Sequence, residues 1–544
     1  MRLKTVFCGL LSGYVVEIVV LGGAFFLLLP GLFWGMPSEF PSEIDTILPM
    51  GPIHFFLNYT GSHDQIIYPA FHYLICGGMY AVCFVLFKLS GILGVPVAAY
   101  PFGFHDPVTA MTILIVAGRA VTAIMGAAIC AVLFRTIRMM TDRTTALFMT
   151  LSLMTSAVFA YYSRVTDLDI PECFWWVLSY AIFLQSVYGI PVASRRAMLL
   201  SGIFGGFAIA TKDEAMMFII PQCLLLLYDG KMGRFAARLR KTMAYTAIVC
   251  SAYVLAAILP QPVRWANHFR FIVTLSNQSP FRTFGYTLHN QVVLLFTTVR
   301  YFFISASPLV ALLGLAGTAF LLVKKRSAIA VPIIVPVLFF YCVMIVPIGF
   351  VYERYTLNAA IIALIPAGYA FYGIRRRCAG KKHGLVFLLA AGMVVAAECC
   401  SGYVPLTIAM TVDAKRKLTE VLTRIVPAGS RILTHASYFS MANADAYRTF
   451  TFCSQDHWAC NVSNRMATLI DHDTAGTQFV LADHDLLHRS SWKKGENIDT
   501  ASLALLATAG FPSWIERGSL VYRGSHAAGV FFVAQTYYLY NKLK

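Results

Sequence analysis

Ten apolar runs long enough to cross a bilayer recur along the chain, near residues 7–33, 68–88, 111–133, 145–162, 172–190, 242–260, 307–323, 329–348, 355–373 and 385–404. In lipid, every backbone N–H and C=O must find its partner within its own helix or in a closed barrel, so runs of this length fold as helices. Two shorter runs, near 198–211 and 215–228, flank ATKDEA and read as a tight helical pair. Only 13% of residues are charged, about half the share of a soluble domain, so the chain reads as an α-helical polytopic membrane protein. The formal net charge of +17 would suit nucleic acid in a soluble protein. Here no basic stripe is interleaved with aromatics, so the excess reads as cytoplasmic loop charge and no nucleic-acid partner is expected. The basic and then long apolar N-terminus, from Arg2 to Trp34, reads as a retained first span rather than a signal peptide. The thirteen cysteines are scattered and form no disulfide framework, although Cys453 and Cys460 could pair on an oxidising face.

Six basic clusters orient the spans: Arg2/Lys4; Arg135/Arg138/Arg143; Arg195/Arg196; Lys231 to Lys241; Lys324 to Arg326; and Arg375 to Lys382. If 68–88 crosses the membrane, every cluster after the first falls outside. If it lies in the outer interface, all six fall inside, with about eleven spans. The second arrangement obeys the charge rule at every loop, and Pro69, His72 and the tyrosines of this run suit an interfacial helix. The N-terminus is then cytoplasmic. Residues 1–404 form the transmembrane part, and 405–544 an extracytoplasmic domain. That tail is mixed and polar, with a helical pattern in DAKRKLTEVLTRIV and strand patterns in SRILTHASY, TQFVLADHD, GSLVYRGS and GVFFVAQTYYLYN. About 130 residues suffice for an α/β core of its own.

This topology gathers chemistry on the outer face. The first loop holds Glu39, Glu43, Asp45, His54, His63 and Asp64 without a Lys or Arg; the second holds Arg164, Asp167, Asp169 and Glu172. Lys212, Arg264, Arg270, Arg282 and Arg354 supply cations. A carboxylate at a span end can take a proton from a hydroxyl or amine, and Lys or Arg can hold a phosphate. Carboxylates beside a phosphate clamp at the lipid boundary suit group transfer from a lipid-phosphate donor. A transporter would place its charges near the midplane, where only Glu17, Arg119 and Arg300 are candidates.

Three stretches carry a family resemblance. They are PSEID followed by DQIIYPAFHYL; the run from Gly118 to Trp176, ending SRVTDLDIPECFWW; and the pair ATKDEA and ERYTLNAAIIALIPAGYAF. Together they resemble the GT-C glycosyltransferases of the protein O-mannosyltransferase and lipid A aminoarabinose transferase type, over about residues 35–375. The resemblance implies a multi-span enzyme that uses a polyprenyl-phosphate sugar donor, with an acidic first-loop motif ahead of a Tyr-Pro helix lying on the outer surface. It implies Asp45 as catalytic base, chosen for its spacing to Tyr68-Pro69, with Glu43, Glu39 or Asp64 as alternatives. It singles out Asp169 in the pattern Ser163, Asp169, Pro171, Phe174. The substrate and phosphate set is Lys212, Arg354, Tyr355, Arg119, Tyr68, His63 and Asp64.

Each assignment has a plainer reading. Asp169 could cap the following helix, with Pro171 in its first turn. Lys212 could be a snorkelling stop, Arg354 an interfacial anchor, and Arg119 a buried charge bound to a partner. Asp167 and Glu172 read as peripheral. Asp471-His472-Asp473 and Asp483-His484-Asp485 read as surface loops, and the sequons at Asn58, Asn277 and Asn461 matter only in a host that glycosylates. The chain is therefore expected to transfer a sugar to a lipid, glycan or protein acceptor with inversion. Asp169 would position the acceptor, order the first loop or assist a divalent Mg or Mn ion, for which no ligands are assigned. A lipid-linked sugar flippase and a non-catalytic envelope assembly subunit are the alternatives.

Overall fold

The computed structural model describes residues 2–37, 47, 49–57, 68–97, 100–187, 195–228, 234–278, 282–324, 327–378 and 382–412, followed by five short strands. The helices are α1 (Arg2–Leu28), α2 (Met50–Leu57), α3 (Phe71–Ser90), α4 (Pro107–Met140), α5 (Arg143–Met154), α6 (Ala157–Tyr162), α7 (Asp169–Val187), α8 (Arg195–Thr211) and α9 (Met216–Tyr228). They continue as α10 (Phe235–Tyr253), α11 (Pro262–Gln278), α12 (Leu288–Ala306), α13 (Pro308–Val323), α14 (Ser327–Phe340), α15 (Val346–Ile348), α16 (Glu353–Cys378), α17 (Lys382–Glu398) and α18 (Val404–Val412). Short wide turns join α14 to α15 and α17 to α18, so each pair runs as one rod.

Local sequence sets the breaks. Asp106 caps α4 by accepting from the Thr109 N–H at 3.1 Å, and Pro107 fills the first turn, where its missing N–H leaves no bond unmade. Asp142 caps α5 in the same way through Thr145 at 2.9 Å. Glycines let helices close on one another. A Cβ at Gly317 would lie 1.9 Å from the Pro366 carbonyl oxygen, so α13 can lie against α16 only with hydrogen at that position. Gly206 of α8 meets the Val249 carbonyl of α10 in the same manner, at 2.6 Å.

Charge pairs distinguish the two ends of the bundle. Helix α16 has 26 residues, about 39 Å at the helical rise, and carries Arg354 at its start and Arg375 near its end. Arg375 pairs with Asp142, and Arg138 pairs with Glu17 at 2.6 Å, so the basic groups of the α4–α5 turn and of the end of α16 share one end. The opposite end holds Asp167, Asp169, Lys212 and Arg354. Helix α3 makes contacts at this acidic end. Phe71 stacks on Phe207 at 4.5 Å, close to Lys212 in sequence. A Cβ at Gly118 would meet the Tyr80 hydroxyl and the Thr166 methyl, each at 2.8 Å. Beyond α3, the Ile92 carbonyl accepts from the His105 N–H at 2.9 Å, immediately before α4 begins. Length and composition qualify α3 as a span, yet both its termini sit at the same end of the bundle.

Among the described residues six helices are long and apolar enough to cross a membrane, or seven if the bent pair α12–α13 counts as one. The sequence reading expects about eleven. Part of the difference lies in short or broken pieces: α5 and α6 are separated at Thr155–Ser156, and α8 and α9 have 17 and 13 residues. Large apolar side chains such as Leu89, Phe296, Val323 and Leu385 stand exposed around the bundle, as lipid contact requires. The chain is a multi-pass membrane protein.

In the tail, β1 (Arg431–His435), β2 (Arg448–Phe452), β3 (Phe479–Asp483), β4 (Leu503–Ala509) and β5 (Tyr537–Lys542) form one sheet in the order β2-β1-β3-β5-β4. β1 runs parallel to β2 and β3, and β5 is antiparallel to β3 and β4. Strand patterns in the sequence find β1, β3 and β5 and miss β2 and β4. The expected helix in 413–426, the GSLVYRGS strand, Cys453 and Cys460 lie outside the described residues. Helix α18 continues past residue 404.

Candidate active site

ATKDEA interrupts a helix where the site needs a lysine. Lys212 is extended (φ −153°, ψ 132°) between α8 and a short 3-10 turn, Asp213–Ala215, that leads into α9. This break aims its ammonium inward. Lys212 Nζ donates to Asp169 Oδ1 at 2.9 Å and lies 3.0 Å from Glu214 Oε1. The Tyr68 and Tyr355 rings lie 6.0 and 5.7 Å from Nζ. Asp169 is already the first residue of α7, and the Leu168 carbonyl accepts from the Glu172 N–H at 2.9 Å, so the N-cap position belongs to Leu168. The Asp169 side chain is instead engaged by Lys212.

The two acids read as peripheral lie at the centre of this cluster. Asp167 Oδ2 is 3.6 Å from Arg354 Nη1, and both residues are buried. Glu172, one turn beyond Asp169, is fully buried. Glu353, beside Arg354, is buried, and its carboxylate oxygens find no hydrogen bond among the described residues. Asn358 locks α16 to α7, its Oδ1 accepting from Trp176 Nε1 at 2.7 Å and from Cys173 Sγ at 2.9 Å. At the acidic end of α12, Ser307 bends the α12–α13 pair by 111°, and Ser305 Oγ donates to the Glu353 carbonyl at 2.9 Å. The start of α16 is thereby held on both sides.

Burial and charge pull in different directions. Burial pushes the Asp167 carboxyl well above its usual range, and neighbouring Asp169 adds to this against Arg354 and Lys212. Burial likewise raises Glu214, with Lys212 opposing. For Lys212, burial would lower the pKa, but Asp169 and Glu214 outweigh it and hold the ammonium charged well above the ordinary lysine range.

The remaining candidates divide. Tyr68 and Tyr355 flank Lys212, and Arg354 joins through Asp167. Arg119 reaches away from the cluster: its Nη1 donates to the Leu32 and Trp34 carbonyls, each at 2.7 Å, and the guanidinium lies over the Trp34 ring. The partner expected for this buried charge is thus backbone beyond α1. Arg164 acts similarly, donating to the Leu27 carbonyl at 2.8 Å and to Thr407 at 2.9 Å. Of the other arginines, Arg264 packs over Tyr73 and Phe55, and Arg282 donates to Tyr286 and the Pro347 carbonyl. Asp45, Glu43, Glu39, His63 and Asp64 lie outside the described residues. Ile47, two positions after Asp45, does not: its N–H donates to the Thr166 carbonyl at 2.9 Å. Sequence reasoning missed Glu214, although its position in ATKDEA was a signal, and the pair of His268 with Asp213 at 2.7 Å, which ties α11 to this turn.

Asp169, Glu172 and Glu214 each present an oxygen within 4.8 Å of the others. Hard oxygen donors so arranged suit a divalent cation in kind. The ammonium of Lys212 lies against two of the three, so the triangle already contains a positive charge.

Fold and site together define a multi-pass helical membrane protein with a buried acid–base cluster at one end. Residues 109–261 match the family model described as dolichyl-phosphate-mannose-protein mannosyltransferase. The match bears out the resemblance to GT-C membrane glycosyltransferases, over a stretch that holds Asp167, Asp169, Glu172, Lys212 and Glu214. No curated protein matches the chain in sequence. Among solved structures, the oligosaccharyltransferase of Archaeoglobus fulgidus in complex with Zn and sulfate is 12% identical, over 86% of this chain and 68% of that one, with a TM-score of 0.47. ArnT from Cupriavidus metallidurans bound to undecaprenyl phosphate is 13% identical, over 97% and 98%, with a TM-score of 0.46. The apo form of the latter is 14% identical over 76% and 72%, with a TM-score of 0.43.

Proposed function

We propose that this protein is an integral membrane glycosyltransferase that moves a sugar from a polyprenyl-phosphate donor to a lipid, glycan or protein acceptor at the outer face of the cell membrane, with inversion. The observation that carries the reading is the state of Lys212. Its ammonium is charged and buried, and among the described residues two carboxylates lie within bonding distance of its three N–H donors. A third N–H can then serve a phosphate oxygen, with Arg354 near by to receive more of the charge. The family match over 109–261 supports the same chemistry.

In this reading the acceptor oxygen attacks the anomeric carbon as the bond from that carbon to the phosphate oxygen breaks. The acceptor proton passes to Asp45, or to Glu43 in its place, and the lipid phosphate leaves with the electron pair, held by Lys212 and Arg354. His63 and Asp64 complete the first-loop set. The Ile47–Thr166 hydrogen bond supports a role for Asp45, because it ties the segment just after Asp45 to the loop carrying Asp167 and Asp169. Asp169 holds Lys212 in place, and Tyr68 and Tyr355 wall it.

The basic end is cytoplasmic, in line with the positive-inside rule. About eleven crossings result if α3 lies along the outer surface, a placement supported by the Phe71–Phe207 stack and the Ile92–His105 hydrogen bond. The tail beyond the bundle is then an extracytoplasmic α/β domain. The flippase alternative would place charges along a mid-membrane path. Among the described residues, buried Glu17 instead pairs with Arg138, and Arg119 binds backbone. The test is transfer of radiolabelled sugar from purified polyprenyl-phosphate donors to membrane extracts. Wild-type protein should support it, and Asp45→Asn or Asp169→Asn should lose about 10²-fold or more. Full activity in both variants, at wild-type expression, would sink the mechanism.

A further inference from the structure

We propose that the Lys212 ammonium is the resident cation of the Asp169–Glu172–Glu214 triangle, standing where a divalent metal ion would otherwise bind, so that this site works without metal. The inference deepens the glycosyltransferase reading and rests on it for the functional consequence, but its core is geometric. The three carboxylates offer oxygens within 4.8 Å of one another, a spacing a single small cation can bridge. Lys212 Nζ sits 2.9 Å from Asp169 Oδ1 and 3.0 Å from Glu214 Oε1, on the edge of the triangle where that cation would bond. A metal ion bound to the same oxygens at the usual 2.0–2.6 Å would lie close to Nζ, and two positive charges in one water-poor pocket repel.

The lysine has little room to withdraw. Its side chain is 3% exposed, Tyr68 and Tyr355 stand on its flanks, and the break after α8 holds its backbone, with the Ala215 N–H donating to the Lys212 carbonyl at 3.1 Å. Glu172 sharpens the point. A fully buried carboxyl in a water-poor site is stabilised by a neighbouring positive charge, and Lys212 supplies one. The arrangement also serves transfer. A divalent ion would bring two charges to a leaving phosphate and depend on ion supply. The lysine brings one permanent charge, with three N–H donors to share between its acids and a phosphate.

Two measurements decide it, both on the full chain in detergent or nanodiscs. The first is Mn2+ titration followed by the loss of the free-ion EPR signal. Wild-type protein should take up no Mn2+ at the triangle. Lys212→Met should gain one site per chain, and adding Glu172→Gln should remove it. Uptake by wild-type protein that Glu172→Gln abolishes overturns the proposal, and so does a well-folded Lys212→Met that gains no site. Should Lys212→Met not fold, Lys212→Gln takes its place, and the wild-type arm still decides. The second is transfer activity after exhaustive chelation, which should remain within twofold of the untreated enzyme; a tenfold loss restored by Mg2+ or Mn2+ overturns the proposal. If no donor supports transfer at all, the glycosyltransferase reading fails, and the Mn2+ titration still judges the occupancy of the triangle.

Discussion

Lys212 and Asp169, 43 residues apart in sequence, meet at 2.9 Å with 3% and 2% of their side chains exposed. Ion pairs so buried contribute little net stability when complete, but removing one partner strands a charge at a cost of about 3–5 kcal/mol. Glu214 makes the two substitutions unequal. Asp169→Asn leaves the ammonium a second carboxylate, whereas Lys212→Met leaves three carboxylates without their cation. Thermal unfolding at neutral pH should therefore show a larger drop in Tm for Lys212→Met. Equal drops would mean that Glu214 does not share the charge.

Alkali should expose the same relationship. The folded-state pKa of Lys212 is raised above its unfolded value. Its contribution to stability is then fully present below the unfolded value, about 10.4, and is lost only as pH rises through the higher folded value. The Tm difference between wild type and Lys212→Met should stay level from neutrality to about pH 10 and shrink beyond it. A difference that already falls near pH 8–9 would mean that the ammonium is not held by its acids.

Arg119 should prove structural. It donates to the Leu32 and Trp34 carbonyls, and charged hydrogen bonds of this kind contribute about 1.5–3 kcal/mol each. Arg119→Met should lower Tm by several degrees and leave the Kd for polyprenyl phosphate within about threefold. Arg354→Met should do the reverse, weakening that binding by about tenfold or more with a smaller change in Tm. A binding loss in Arg119→Met equal to that in Arg354→Met would return Arg119 to the phosphate site.

Single cysteines test the path of α3. In a background with the native cysteines replaced, Ser90→Cys and Asp106→Cys should react with an impermeant thiol reagent from one side of the membrane. Arg143→Cys and Arg376→Cys should react only from the other. Labelling of a cysteine at position 70 from the Arg143 side would show that α3 crosses.

Much of the architecture is legible without coordinates. Residue types alone encode the apolar runs and the break in ATKDEA, because a helix in lipid depends on its own length and polarity. Charge counting also placed α3 away from a crossing, which cysteine labelling on either side of it tests. Tertiary structure alone decided which charges meet. Asp167 and Glu172 look like ordinary helix-end acids, and nothing local reports that α16 and the α8–α9 turn bring Arg354 and Lys212 to them. Arg119 looks like a phosphate ligand until the chain beyond α1 folds back to present two carbonyls. Burial and pairing are properties of distant segments packed together, and in a low-dielectric interior they decide whether an acid stands at the periphery or at the centre of a site.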